Sequence, residues 1–206
     1  MDLEGLFMKK SLGPKVFGFP APVFIVGSYN ENGQANVMNV AAAGTCCLSP
    51  PCVYVSLREA THTYHNIIRN KAFTISIPFQ EQVVEADYFG IASGKNTDKF
   101  EVTGLTPVKS DLVHAPYVDE FSVVMECQLK DKVILGSHTM FIGEVIDLKA
   151  DEDVTTKIKI KSDLELLKVD LEKSKPFIYD LSLRGYYKLG EKIGNGFSDG
   201  LKYFKK

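Results

Sequence analysis

Residues 36–78 decide the fold, and they read NVMNVAAAGTCCLSPPCVYVSLREATHTYHNIIRNKAFTISIP. They begin inside a predicted strand, Gln34–Cys47, which returns from the turn signal Asn30-Glu31-Asn32-Gly33 and so completes a hairpin. The small residues Ala41 to Gly44 in this strand would let another group approach the backbone closely. A pair of prolines ends the strand, and Cys52–Leu57 alternates as the next one.

Outward from this stretch, strands dominate the pattern and two short helices accompany them. A helix is predicted over Thr61–Asn70 because three apolar residues recur on one face, and Gln80–Phe89 is predicted as a second helix. The further predicted strands are Pro22–Tyr29, Ala72–Phe79, Phe121–Lys130 and His138–Leu148. This order predicts a mainly β protein, a β-barrel with short peripheral helices.

The last quarter of the chain has a different pattern. The acidic and lysine-rich run Asp151–Lys161 is predicted to be a solvated connector, whereas Pro176–Asp180 is apolar again. The glycines of Tyr186–Lys206 lack the spacing of a dinucleotide site and predict a flexible tail. We expect a single domain over residues 1–206, with a C-terminal extension from about residue 151.

The composition is that of an ordinary globular protein and excludes several classes. Of 206 residues, 45% are hydrophobic, and 24 Lys and Arg balance 26 Asp and Glu to a net charge of −2. Disorder is thereby excluded, and a general nucleic-acid binder would carry a basic excess. No apolar run approaches the roughly 20 residues of a membrane helix, and the N-terminus lacks a secretory pattern. We therefore expect a cytoplasmic protein with neither a membrane nor a nucleic-acid partner.

The cysteines and histidines do not form a metal-binding pattern. The four cysteines are Cys46, Cys47, Cys52 and Cys127. Their spacing is not that of a zinc site, so we expect buried, reduced thiols, with a redox role of the adjacent pair left open. His62 and His65 have i, i+3 spacing on the predicted helix, but the sequence offers no obvious further ligand. No metal site is predicted.

The stretch Ser56–Thr63, SLREATHT, has the composition of a phosphate site. A strand ends at a hydroxyl and Arg58, and the helix that follows begins with threonines. Free backbone N–H groups and the positive end of the helix dipole attract anions at such a position. Lys99, on the polar loop Ser93–Phe100, is a second candidate phosphate ligand. The alternatives are a capped helix with a solvated arginine, and a surface lysine.

Taken together, these residues resemble the flavin reductase-like, FMN-binding split-barrel family, and within it the flavoredoxins. The resemblance is carried by residues 36–78, by GIASGKNTDKF at 90–100, by SHTMFIGEV at 137–145 and by PFIYD with YYKLG further on. It covers the chain from about Pro14 to about Gly190. It implies a six-stranded antiparallel split barrel of Greek-key topology that binds FMN and forms a homodimer.

The resemblance also implies the residues of a flavin site. Those expected along the isoalloxazine ring are Asn36, Met38 and Asn39, together with the backbone of Ala41, Ala42 and Ala43. Those expected to flank the ring and the ribityl chain are Ser56, Leu57 and Arg58. The phosphate would be held by Thr63 and Lys99, and Phe177 or Tyr179 would cover part of the pocket.

His138 would lie near the flavin ring and is the candidate catalytic residue. The alternative is a surface histidine at the end of a strand. The chain contains no Trp, whereas related flavoredoxins often carry one near Ala42 and Ala43. The aromatic residue that stacks on the flavin is therefore left open.

The implied function is that of an FMN-dependent oxidoreductase. Electrons would come from NAD(P)H or from a redox protein and pass through the bound FMN, which supplies most of the chemistry. Two other classes remain open at this stage. One is a non-catalytic FMN carrier or storage protein, and the other is a β-barrel interaction module without a cofactor.

Overall fold

The computed structural model describes residues 9–159 and 165–204. The strands are β1 Ala21–Pro22, β2 Phe24–Tyr29, β3 Ala35–Val40, β4 Ala43–Leu48, β5 Pro51–Leu57, β6 Ala72–Ile77, β7 Pro107–Lys109, β8 Pro116–Val118, β9 Val123–Leu135, β10 His138–Ala150, β11 Thr155–Lys159, β12 Glu165–Val169, β13 Phe177–Asp180 and β14 Gly185–Lys188. The α-helices are α1 His62–Asn70, α2 Val83–Ile91, α3 Lys99–Thr103 and α4 Leu171–Ser174. Short 3₁₀ turns occupy Gln80–Gln82, Glu152–Val154 and Asp199–Tyr203.

Seven strands form the main sheet, in the order β3-β2-β6-β9-β10-β5-β4, and all neighbours are antiparallel. This confirms the mainly β split-barrel class with short helices. The sheet has seven strands where six were expected, because the predicted strand Gln34–Cys47 divides into β3 and β4. The division lies at Ala41 and Ala42, where Ala43 N donates a hydrogen bond of 3.0 Å to Ala41 O and the chain turns.

Two apolar clusters fill the interior of the fold. The first lies between the strands of the main sheet and includes Val26, Val55, Phe73, Ile75 and Phe141, with Ile67 of α1 packed into it. The second lies between the sheet and α2 and includes Val37, Phe89, Phe100, Phe121 and Phe177. The abundant phenylalanines of this chain therefore act mainly as core residues.

The prediction of a solvated connector over Asp151–Lys161 is wrong for the central part of this range. The chain there makes a 3₁₀ turn and then β11, which pairs with β12 in a separate hairpin. Most side chains of this hairpin are exposed, so its charged residues resemble a connector in sequence.

The loop predicted at Ser93–Phe100 also ends early. Asp98 caps α3 by accepting hydrogen bonds from Phe100 N and Glu101 N.

The predicted flexible tail begins with an ordered element, because β14 pairs with β13 and β13 pairs with β1. The predictions made for residues 1–8, 160–161 and 205–206 lie outside the described residues. None of the helices in the described part of the chain is long and apolar enough to cross a membrane.

The four cysteines are free thiols in the structure. Cys52 and Cys127 are buried as expected, whereas Cys46 is exposed and Cys47 is half-buried, so burial was correctly predicted for two of them. Burial raises the pKa of Cys127 to about 12, which keeps this thiol protonated at neutral pH. Within residues 9–159 and 165–204, no group of three metal-ligating side chains is close enough to hold a metal ion.

Glu126, near the start of β9, is the one fully buried carboxylate among the described residues. Its Oε1 lies 2.6 Å from Lys149 Nζ, and its Oε2 accepts a hydrogen bond of 3.1 Å from Leu112 N. Burial by itself raises the pKa of Glu126, but Lys149, Ser110 and the Leu112 N–H together lower it below its ordinary value. The ionised form of Glu126 is therefore the one that stabilises the fold.

We predict that Glu126→Gln lowers the free energy of unfolding at pH 7 by about 1–3 kcal/mol, because it removes the buried carboxylate that pairs with the half-buried Lys149 and accepts the Leu112 N–H. A pKa that is lower in the folded state contributes stability above the unfolded value. That contribution is lost as the pH falls below about 4.5. Denaturant unfolding between pH 3 and pH 7 should show a steeper acid loss for the wild type than for the variant.

The control is Glu144→Gln, which removes a carboxylate paired with Lys130 at the surface. Exposed pairs of this kind contribute at most about 1 kcal/mol. Equal losses of stability in the two variants would contradict the assignment of Glu126 as a structural charge.

Candidate functional site

A cavity of about 330 Å³ opens where β3, the start of α1 and the end of α2 meet. Five of the residues predicted for the flavin site line it, namely Asn36, Met38, Arg58, Thr63 and Lys99. No carboxylate is among its described lining residues. The structure therefore brings together the residues predicted from SLREATHT and from the DKF loop, which are about 40 positions apart in the chain.

The N-terminus of α1 forms one wall of this cavity. Thr61 is the N-cap residue, but its side chain does not cap the helix, because Thr61 Oγ1 donates 2.8 Å to Arg58 O instead. The first turn of α1 contains no acidic residue. Its N–H groups and the positive end of the helix dipole thus remain available to an anion, beside the exposed Arg58 side chain.

Asn36 and Thr63 join β3 to α1 beneath the cavity. Asn36 Nδ2 donates a hydrogen bond of 3.0 Å to Thr63 Oγ1, and both side chains are buried. Because the Thr63 hydroxyl accepts this bond, its own O–H remains free to donate to a ligand. Asn36 Oδ1 is buried and has no partner among the described residues. A buried, unpaired oxygen is uncommon and costs stability.

Gly94 and His62 are cavity residues that the sequence analysis did not assign to the site. Gly94 packs against Asn36 and His62 so closely that a Cβ at this position would overlap Asn36 Oδ1. His62 Nε2 is buried, again without a partner in the part of the chain that is described. Burial, followed by the charges of Lys95 and Arg69, lowers the pKa of His62. The Ser-Gly pair after α2 was the only sequence signal for this close approach.

Lys99 lies at the base of the cavity and is only 4% exposed. Its Nζ donates 2.7 Å to Val37 O on β3 and 3.0 Å to Phe89 O in the last turn of α2. Burial lowers the pKa of Lys99 to about 8. The ammonium has three N–H donors, so one remains after these two bonds. Lys99 is therefore neither a surface lysine nor a residue paired with an acid.

Three other predicted residues lie together outside this cavity, around the ring of Tyr186. Asn39 Nδ2 donates 2.9 Å to Ala86 O and 3.3 Å to Tyr186 Oη. The rings of Phe177 and Tyr179 lie 5.6 Å and 5.0 Å from the Tyr186 ring. Tyr186 Oη also donates to Asp87 Oδ1. Burial and Asp87 raise the pKa of Tyr186, so it remains a neutral phenol.

The predicted backbone wall at Ala41–Ala43 comprises the two-residue connection from β3 to β4 and the first residue of β4, and it contacts the end of β5. Ser56 N donates 2.8 Å to Ala42 O, and Ala43 is the register partner of Val55. Leu57 is buried in the first core cluster. Gly44, the last of the small residues, faces the ring of Tyr54, to which a Cβ would approach within 3.2 Å. This glycine thus makes room for a ring of the protein itself.

His138 begins β10 at the same end of the sheet as Arg58. Its neighbour Thr139 pairs with Leu57, so His138 is level with the position just after β5, where Arg58 lies. The ring is half-buried, and its Nδ1 lies 2.8 Å from Ser137 Oγ. His138 is not among the residues that line the cavity. It lies at the end of an interior strand, between β9 and β5.

The fold is that of a split barrel, and comparison with known proteins assigns the family. Residues 16–167 match the flavin reductase like domain family, so the chain belongs to that family. Membership indicates a flavin cofactor.

The chain is similar to the flavoredoxin of Desulfovibrio vulgaris (Miyazaki F). The two chains are 44% identical with a TM-score of 0.84, over 94% of this chain and 100% of that one. The flavoredoxin from Methanosarcina acetivorans supports the same fold, with a TM-score of 0.84 at 24% identity over 96% of this chain and 100% of that one. A ferric-chelate reductase (NAD(P)H) of Archaeoglobus fulgidus is 29% identical over 124 residues, which are 58% of this chain and 69% of the relative. These findings confirm the resemblance on which the site predictions rest.

We predict that Lys99 makes the stability of the protein depend on pH in the alkaline range. The unfolded chain keeps its lysines protonated up to about pH 10.5, whereas folded Lys99 loses its proton near pH 8. Between these values the unfolded state binds more protons, so the unfolding free energy gains about 2–3 kcal/mol from Lys99 as pH rises. Lys99→Met should lack this gain when urea unfolding is compared at pH 7.5 and pH 10.

The matched control is Lys95→Met, because Lys95 is an exposed lysine on the loop that leads into α3. Its pH dependence should run parallel to that of the wild type. If the Lys99→Met profile also runs parallel to the wild-type profile, burial does not lower the pKa of Lys99 and the prediction is wrong.

Proposed function

We propose that this protein binds FMN and acts as an FMN-dependent oxidoreductase, which takes electrons from NAD(P)H or from a redox protein in the cytoplasm. One observation carries the proposal. The chain belongs to the flavin reductase like domain family. Its cavity is lined by the uncapped N-terminus of α1, by Arg58 and by Lys99, and its described lining contains no acidic residue. Such a site suits a doubly charged phosphate monoester.

The residues of the cavity fit the phosphate and the hydroxylated chain of FMN. Arg58 and the N–H groups of α1 would bind the phosphate oxygens, and the remaining N–H of Lys99 would add a charge from beneath. Thr63 would donate its free O–H, and the unpaired Asn36 Oδ1 would accept from a hydroxyl. When bound, FMN supplies hydride and single-electron transfer.

The other predicted residues would act around the ring. The backbone of Ala41–Ala43 would offer donors and acceptors to the ring edge, and Ser56 and Leu57 would keep the end of β5 in place beside it. Asn39, Phe177 and Tyr179 would support this wall from behind α2 through Tyr186. Their role is thus to position the wall that faces the flavin.

A homodimer is part of the proposal. The end of β9 exposes Ile134 and Leu135 beside His138, with 73% and 55% of their surfaces accessible. Exposed apolar residues next to a site are typical of interfaces. A second copy that covers this end of the sheet would exclude water from the ring and place His138 in a closed environment.

We predict that Arg58→Gln weakens FMN binding about 10- to 100-fold, since it removes one charge-assisted contact with the phosphate. Riboflavin lacks the phosphate, so its affinity should not change. Both dissociation constants follow from the quenching of flavin fluorescence on titration with apoprotein. The control is Arg69→Gln, because Arg69 lies on the exposed side of α1 and pairs with Glu31.

If wild-type protein binds FMN no better than riboflavin, the cavity is not a phosphate site and the proposal is wrong. Equal losses for Arg58→Gln and Arg69→Gln would instead indicate a general electrostatic effect.

We predict that NADH or NADPH reduces the FMN-loaded protein in anaerobic stopped-flow experiments, and that His138→Ala slows this step at least about tenfold. His65→Ala, on the exposed face of α1, should leave the rate unchanged.

Unchanged flavin affinity and reduction rate in His138→Ala would remove His138 from the site. If neither nucleotide reduces the flavin but reduced ferredoxin does, the protein relays electrons between proteins. If none of the three does, it is an FMN carrier.

A further inference from the structure

The hairpin of β4 and β5 carries three of the four cysteines of the chain. The register pairs Leu48 with Pro51 and Cys47 with Cys52, so only a two-residue loop separates the strands. Cys47 and Cys52 are thus direct cross-strand neighbours, one pair away from the loop. Neither thiol has a role in the flavin site, which lies at the opposite end of the same hairpin.

The position of this pair in the ladder suits a disulfide. Ser56 N donates to Ala42 O, so every second residue of β5, including Cys52, directs its N–H toward β4, and Cys52 faces Cys47 at a hydrogen-bonded position. Residues at such positions have Cα atoms about 5.5 Å apart, which lies within the roughly 4.4–6.8 Å range of disulfides. Directly opposite residues share one face of a sheet. Both cysteines indeed line the same groove of about 470 Å³.

The structure separates this pair from the other two thiols. Cys46 is the extra residue at a register shift between Thr45 and Cys47, is exposed, and does not line the groove. Cys127 lies on β9 and is fully buried. Cys47 is half-buried and can be reached from solvent, whereas Cys52 is buried behind it. Burial raises the pKa of Cys52, and the neighbouring Cys47, Cys46 and Glu144 raise it further.

We propose that Cys47 and Cys52 form a peroxide-sensitive dithiol that closes to a reversible disulfide across the hairpin. The sulfur of Cys47 attacks hydrogen peroxide, the O–O bond breaks, and a sulfenic acid and water form. The sulfur of Cys52 then attacks that of Cys47, and the second water leaves. Two thiols lose two electrons and two protons, and one peroxide is reduced to two waters. The proposal is independent of the flavin function.

The experiment uses the full chain, reduced and then treated anaerobically with hydrogen peroxide. Free thiols are counted with a chromogenic disulfide reagent, and peptides are mapped by mass spectrometry after alkylation. We expect a fall from four to two free thiols per chain, one linkage between Cys47 and Cys52, and full reversal by dithiothreitol. Cys46→Ser should form the same linkage, and Cys47→Ser and Cys52→Ser should not.

Three results would overturn the proposal. They are a linkage that contains Cys46, a linkage between chains, and four free thiols after treatment. The peptide maps of the wild type and of Cys46→Ser are sufficient to show whether Cys47 and Cys52 are linked. A Cys52→Ser variant that failed to fold would therefore not affect the outcome.

Discussion

Two residues, Ala41 and Ala42, connect the two edge strands of the seven-stranded sheet. β3 is one edge and β4 is the other. A flat sheet of seven strands would hold its edges about 29 Å apart, because neighbouring strands lie about 4.8 Å apart. A two-residue connection spans roughly 10 Å. The sheet must therefore curl until its edges come close together, and the barrel is a consequence of this one short connection.

The closure of the sheet also builds the site. It brings β3 beside the helix that follows β5, so that Asn36 can bond Thr63 across the junction. The space left between them is closed from below by Lys99, which ties β3 to the last turn of α2. Carbonyl groups in a last turn are unsatisfied and lie at the negative end of the helix dipole. They hold the ammonium in place without a carboxylate that would compete for it.

The parts of the fold that sequence could predict are those governed by local signals. The hairpin turn, the strands and the helix after SLREATHT follow from periodicity and from turn residues, and the phosphate-type composition of that stretch is visible without a structure. The break at Ala41 was missed because small apolar residues continue a strand pattern as well as they end one. The β11–β12 hairpin was missed because both its faces are polar or exposed, which leaves no alternation to detect.

Long-range partners were beyond sequence reasoning for a different reason. The residues that meet at Tyr186 come from β3, α2 and β13, and nothing local in any one of these segments indicates the others. The partners of Lys99 could not be predicted from sequence either, because both acceptors of its hydrogen bonds are backbone oxygens, which every residue type provides. His62 and Gly94 line the site because the loop after α2 packs closely against the start of α1 and against β3, and such packing between distant segments gives no local sequence signal.

The electrostatics of the cavity explain why a nearly neutral protein can favour a charged ligand. The chain has a net charge of −2, so no general attraction for anions exists. Selectivity for an anion would have to arise locally, because no acidic residue is among the described residues that line the cavity with Arg58, and because burial disfavours the charged form of Lys99. Under the proposed function, the phosphate of FMN would bind these groups, and its charge would favour the protonated form of Lys99. Riboflavin lacks the phosphate and would leave the burial cost of Lys99 in place, so the proposal requires the cavity to distinguish FMN from riboflavin.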